Sequence, residues 1–133
     1  MLNPTLVDLP VLEDPYGSIG VIEGPLALPF EVKRFYFITG VPEGATRGSH
    51  AHKNLVQLIV ALSGSVAIDL DDASEVERFT LDRPSLGLLV PPGYWRTLRD
   101  FGPGTVLGVL ASLEYDESDY IRSYRVFREW THA

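Results

Sequence analysis

The sequence predicts an all-β chain, an antiparallel barrel or sandwich with one α-helix at its C-terminal end. Three observations predict it. Short apolar, β-branched segments recur at even spacing. Gly, Pro and paired Asp residues separate them. Only the last segment changes from a two-residue period to a helical one. Strands of this length at this spacing suit a sandwich or barrel rather than βαβ units.

Taken in order, Arg34 to Thr39 is rich in aromatic and β-forming residues and ends at Gly40-Val-Pro-Glu-Gly44. Leu55 to Leu62 is apolar and stops at Ser63-Gly64. Ser65 to Leu70 alternates up to Asp71-Asp72, and Val76 to Leu81 alternates again. Leu86 to Val90 runs into Pro91-Pro92-Gly93, with Tyr94 to Leu98 beyond it. Thr105 to Ala111 follows the Gly102-Pro103-Gly104 breaker. From Tyr120 the apolar positions are Tyr120, Ile121, Tyr124, Phe127 and Trp130, the stripe of an amphipathic helix, which Asp116 or Ser118 can cap. Tyr120, Tyr124 and Trp130 are expected to pack in the core or at a dimer face.

At 133 residues the chain is expected to form a single domain over 1–133. Its 45% hydrophobic and 22% charged residues are those of a globular protein, not a disordered one. A formal net charge of −7 argues against a nucleic-acid partner, though clustered arginines can still hold an anion. The absence of cysteine excludes disulfides and thiolate sites. Met1-Leu2-Asn3-Pro4 does not read as a signal peptide, and Leu55 to Ile68 is too short and polar to span a bilayer, so a cytoplasmic protein without a membrane partner is expected.

The chemistry centres on Arg47-Gly-Ser-His50-Ala-His52-Lys53. On a strand, residues two apart share a face, so His50 and His52 point the same way. Alone, such a pair fits an exposed edge strand equally well. The spacing Gly44-x5-His50-x-His52-x4-Gln57-x6-Gly64 resembles the first motif of the cupins, and Pro91-x-Gly93-x2-Arg96 is similar to their second. The cupin jelly-roll barrel is the fold this resemblance implies. The usual cupin metal set is His, His, Glu, His; this chain has Gln57 and Arg96 at the last two places. A guanidinium cannot ligate a metal and opposes one nearby, so no metal is expected.

One cupin family matches nearly the whole chain. Arg34-Phe-Tyr36-Phe-Ile38, the histidine motif, the strand with Gln57, and Leu110-Ala-Ser-Leu-Glu-Tyr-Asp-Glu-Ser-Asp-Tyr-Ile-Arg-Ser-Tyr124 resemble the nucleotide-sugar 3,4-ketoisomerases. The resemblance implies a metal-free, cofactor-free homodimer that exchanges N-terminal strands. It also implies a dTDP-4-keto-6-deoxy-D-glucose substrate whose carbonyl moves from C4 to C3 through an enediol. By the same analogy His50 is the carbon base, with His52 and Tyr36 handling the oxygens or orienting the base. A histidine titrating near neutrality suits such work. Family members with Tyr near the N-terminus and Arg after the Pro-x-x-Trp turn give a gluco product; Tyr16 and Arg96 match them, whereas Arg and His there accompany a galacto product. Arg34, Arg47, Lys53 and Arg122 are candidates for the pyrophosphate, or equally for surface ion pairs. Gln57 is a candidate for a sugar hydroxyl, or for satisfying its neighbours. The competing readings are a non-catalytic sugar-nucleotide-binding cupin, a metal-dependent oxygenase and a structural barrel.

Overall fold

The computed structural model describes residues 3–133; Met1 and Leu2, which open the N-terminal reading, lie outside them. The chain begins with β1 (Thr5–Asp8), a hairpin of β2 (Val11–Asp14) and β3 (Gly17–Gly20), and one helical turn, α1 (Gly24–Ala27). Eight strands follow: β4 (Arg34–Thr39), β5 (Arg47–His52), β6 (Gln57–Ser63), β7 (Val66–Asp71), β8 (Val76–Leu81), β9 (Leu86–Val90), β10 (Trp95–Arg99) and β11 (Val106–Ala111). A 3₁₀ turn at Glu117–Asp119, the short β12 (Tyr120–Ile121) and α2 (Tyr124–Thr131) complete it.

Two five-stranded antiparallel sheets face one another, ordered β1-β9-β6-β11-β4 and β12-β5-β10-β7-β8. This is the jelly-roll sandwich expected from the strand spacing. The main core fills the space between them, with Ile59, Ala61, Ile68, Leu70, Leu88, Leu107 and Val109 among its members. The odd residues of β6 point into it. The even ones, Leu58 and Val60, point outward against Leu9, Ala27 and Leu89. Coverage on both faces explains why β6 reads as an unbroken apolar run where most strands alternate.

The turns follow their glycines where geometry demands it. Gly64 has φ +76°, and a Cβ there would stand 2.3 Å from the Thr105 hydroxyl. Thr105 ties that corner: its hydroxyl donates to the Gly102 carbonyl at 2.6 Å and accepts from the Ser65 N–H at 3.1 Å. Gly48 has φ +85°, and its Cβ would lie 2.9 Å from the Arg96 carbonyl. That close approach accompanies a shift in the β10–β5 register between Arg96 and Thr97, and it leaves Arg96 directly opposite His50.

The C-terminal segment departs from its helical reading. Tyr120 and Ile121 are strand, paired with His52 and Ala51 of β5, and the helix starts only at Tyr124. Its cap is Ser123, whose hydroxyl accepts from Val126 N, whereas Asp116 caps the 3₁₀ turn. Tyr120 and Ile121 continue the helical stripe by coincidence of spacing. The unpaired edge of β5 claims their backbone, and a long-range ladder overrides a local period. Phe127 is then the residue that seats α2, packed with Ala51 and Ile121.

Candidate active site

A cavity of about 530 Å³ opens between the sheets, its walls built from β4, β5, β6, β10, β11 and β12. Apolar Ile38, Ile59, Leu98 and Val109 contribute to its lining. Polar groups converge above them: Tyr36 and Arg34 from β4, His50 and Arg47 from β5, Gln57 from β6, Arg96 from β10, Tyr120 from β12, and Arg122 just beyond. Seven of the ten residues singled out in the sequence, together with Tyr120, are thus brought to one place. His52 lies directly behind, its ring 4.9 Å from that of His50 and edge-on to it. Lys53 is exposed and outside the lining, and Tyr16, 98% exposed on the β2–β3 turn, does not reach the cavity of its own chain.

Both histidines have their tautomer set by what their Nδ1 atoms meet. His50 Nδ1 lies 3.1 Å from the Gly48 carbonyl, which can only accept, so Nδ1 carries the hydrogen and Nε2 is left with a lone pair. His52 Nδ1 lies 3.0 Å from Asp119 Oδ2, in a contact that is buried on both sides. The Asp119 carboxylate also accepts from the backbone N–H of Asn54 and of Leu55. His52 therefore donates from Nδ1 as well, and its buried Nε2 has no partner. Burial, reinforced by the Arg96 charge, pushes the His50 imidazole down to about 4, and the same two causes lower His52. His50 is accordingly a neutral ring with an open lone pair at neutral pH.

Arg96 is the unusual group. It is 2% exposed, and no carboxylate pairs with it among the described residues. Nη1 donates to Gln57 Oε1 at 2.7 Å and Nη2 to the Tyr94 carbonyl at 3.0 Å. Burial brings its pKa down to about 10, which still leaves it charged at neutral pH. Gln57 Nε2 in turn donates to the Tyr36 hydroxyl at 2.8 Å. Burial raises Tyr36, while Gln57, Arg34 and Arg96 act to lower it.

The cupin fold raises the question of a metal. The donor set does not fit one: a guanidinium occupies the place of the last ligand and takes the Gln57 oxygen for itself. Among the described residues no three His, Asp or Glu side chains cluster as a ligand set.

The rim is cationic. The Arg34 guanidinium lies over the Tyr36 ring at 4.9 Å and near that of Tyr115 at 5.9 Å. Arg122 stacks on Tyr120 at 4.2 Å while its fork holds Glu117. That pair raises Arg122 and lowers Glu117 to about 2. Arg34 and Arg47 make no ion pair among the described residues and so offer uncompensated charge. Sequence reasoning missed Asp119 and misplaced Tyr120, which it assigned to packing. Tyr120 instead stands 4.9 and 4.3 Å, centroid to centroid, from His50 and His52. The signal was present in the acidic run Asp116-Glu-Ser-Asp119, which reads locally as helix capping.

Comparison with known proteins places the chain. The family model described as FdtA, WxcM-like, C-terminal, matches residues 2–132. The TDP-4-oxo-6-deoxy-α-D-glucose-3,4-oxoisomerase of Aneurinibacillus thermoaerophilus is 44% identical over 117 residues, covering 88% of this chain and 84% of that protein. QdtA, a sugar 3,4-ketoisomerase of Thermoanaerobacterium thermosaccharolyticum solved with TDP, superposes with a TM-score of 0.94 at 43% identity, covering 98% and 95% of the two chains. WlaRB, a TDP-quinovose 3,4-ketoisomerase of Campylobacter jejuni, superposes at 0.90 with 39% identity over 97% and 99%. Fold and site together define an isomerase of the sugar 3,4-ketoisomerase class on a cupin scaffold. More narrowly, the chain belongs to the FdtA, WxcM-like family.

Proposed function

We propose that the protein converts dTDP-4-keto-6-deoxy-D-glucose to dTDP-3-keto-6-deoxy-D-glucose by metal-free proton transfer through an enediol, in deoxysugar or aminodeoxysugar biosynthesis in the cytoplasm. The observation that carries the reading is His50: its Nδ1–H is held by Gly48, which leaves an unprotonated Nε2 on a residue that lines, with Tyr36, a cavity large enough for a sugar. His50 takes the C3 proton and the C4 carbonyl oxygen gains one, giving the enediol. The O3 hydroxyl then loses its proton as C4 gains one, so the formula is unchanged. Arg34 and Arg47 supply donors for the pyrophosphate at the rim.

A gluco product has H4 on the ring face opposite H3. The base that empties C3 is then not the donor that fills C4; His50 returns its proton to solvent. Arg96, lacking a transferable proton at neutral pH, fits an enzyme that does not deliver from its own side. Similarity to a TDP-quinovose ketoisomerase points the same way, since quinovose is 6-deoxyglucose.

The reading includes a homodimer. Among the described residues the β2–β3 hairpin pairs only with itself, and it exposes Leu12, Tyr16 and Ile19. Phe35 and Phe37, on the edge strand β4, are exposed as well. Apolar surface of this kind calls for a partner. Because β1 is paired to β9 within its own chain, the hairpin is the segment available to cross and to carry Tyr16 to the neighbouring cavity.

The deciding experiment follows the substrate by NMR in deuterated water, beside a His50→Asn variant. Solvent deuterium at C4 and a 3-keto product, both lost in the variant, are expected. Binding without turnover in the unaltered protein would favour the sugar-nucleotide-binding module instead.

A further inference from the structure

We propose that Gln57 and Arg96 are positioning residues that hold the Tyr36 phenol as a proton donor aimed into the cavity. The inference rests on the isomerase reading only for what the proton is used for.

The argument begins with what each atom can do. A guanidinium donates and never accepts, so the Gln57 atom facing Arg96 Nη1 at 2.7 Å must be the oxygen. The amide nitrogen is thereby fixed on the other side, 2.8 Å from the Tyr36 hydroxyl. An amide N–H can only donate, so the phenolic oxygen accepts. Its own hydrogen therefore points elsewhere, and among the described residues no protein acceptor bonds it. Tyr36 lines the cavity, so that hydrogen faces whatever the cavity holds. Were the amide reversed, its oxygen would take the phenolic hydrogen for itself and two donors would confront each other at Arg96. Arg96 makes that orientation untenable. Its second Nη is fastened to the Tyr94 carbonyl, so the guanidinium cannot swing away without losing that bond too.

The same chain serves after the proton has gone. A phenolate at Tyr36 keeps the Gln57 N–H bond, and the uncompensated Arg96 charge lies one amide behind it. The other groups facing Tyr36 are Arg34 from its own strand, which also favours the phenolate, and Tyr120 from β12. In the isomerisation the phenol gives its proton to the C4 carbonyl oxygen as His50 takes the one on C3. The phenolate then recovers a proton from the O3 hydroxyl as the new carbonyl forms. Tyr36 ends as it began. In this scheme Gln57 touches Tyr36, and Arg96 touches Gln57 and the Tyr94 carbonyl, so both act through the orientation they impose.

The test reads Tyr36 directly, in the full-length protein labelled with ¹³C at the tyrosine ζ carbons. Tyr36→Phe assigns the resonance. Gln57→Glu keeps the shape but offers an acceptor to the phenol and repels a phenolate; Gln57→Leu removes the bond without adding charge. The Tyr36 titration should move upward in both, more in Gln57→Glu. With substrate, Gln57→Glu should lower kcat about 100-fold with KM within about threefold, the size of a lost acid catalyst. A Tyr36 titration that stays in place in both folded variants overturns the proposal, whatever the enzyme's activity. A protein without isomerase activity whose Tyr36 titration does move would sink the isomerase reading and leave the relay standing.

Discussion

Replacing Asp119 by alanine should unfasten the site and much of the chain's stability together. The Asp119 side chain is 5% exposed and accepts three hydrogen bonds, from His52 Nδ1 at 3.0 Å, Asn54 N at 2.8 Å and Leu55 N at 3.3 Å. The His52 and Leu55 bonds are buried, so water cannot readily replace the lost acceptor there. A buried donor left without its partner costs about 1–3 kcal/mol, so Asp119→Ala should destabilise the fold by about 3 kcal/mol, a large fraction of an ordinary domain's stability. With a urea m-value of roughly 1.5 kcal/mol/M, the unfolding midpoint falls by about 2 M. Protein concentration must be held fixed, because an oligomer's midpoint depends on it. Asp119→Asn separates tautomer from stability: its oxygen still serves a backbone N–H, while its amide nitrogen can face His52 and drive the ring to the Nε2–H form. Nitrogen-15 spectra of the imidazole should show that exchange. A midpoint shift below about 0.5 M in Asp119→Ala, or an unchanged His52 tautomer in Asp119→Asn, would refute the reasoning.

Four further outcomes follow from the geometry. Because His50 is lowered to about 4, the acid limb of kcat/KM should break near pH 4 and not near 6.5; a break between 6 and 7 would mean that His50 is not the base. Both site histidines bind protons less readily folded than unfolded, so their contribution to stability is complete above about pH 6.5 and is lost as pH falls toward the folded value. Urea midpoints should therefore drop between pH 7 and 4.5, and drop less steeply in His50→Asn. Gly64→Ala forces a side chain onto Thr105 at positive φ and should lower stability by about 2 kcal/mol or more, visible as a thermal shift; an unchanged melting temperature would show that the corner yields. Finally, substrate deuterated at C3 should give a gluco product without deuterium at C4, whereas internal transfer in its mass spectrum would indicate delivery from a single face.

The strands were legible because their signals are local. β4, β8 and β9 have the bounds that their turn residues predict, and β6, β7, β10 and β11 shift by only one or two residues. The shared face of His50 and His52 was legible, since the two-residue period places them together whatever they pair with. β2 and β3 were not legible: four-residue strands rich in Gly, Asp and Glu carry little apolar alternation, and their pairing with each other defines them.

What the sequence by itself determined was the all-β class, the histidine pair, and Gln57 and Arg96 at the spacing where its resemblance to the cupins implies two metal ligands. Those are matters of residue type and short spacing. The tertiary structure decided what these side chains do. Gln57 and Arg96 are 39 positions apart, and Gln57 and Tyr36 are 21 apart. Asp119 is 67 positions from His52 and reaches it only because Tyr120 and Ile121 join the edge of β5. A hydrogen bond needs atoms within about 3 Å, and at such separations only the packing of the two sheets can bring them there.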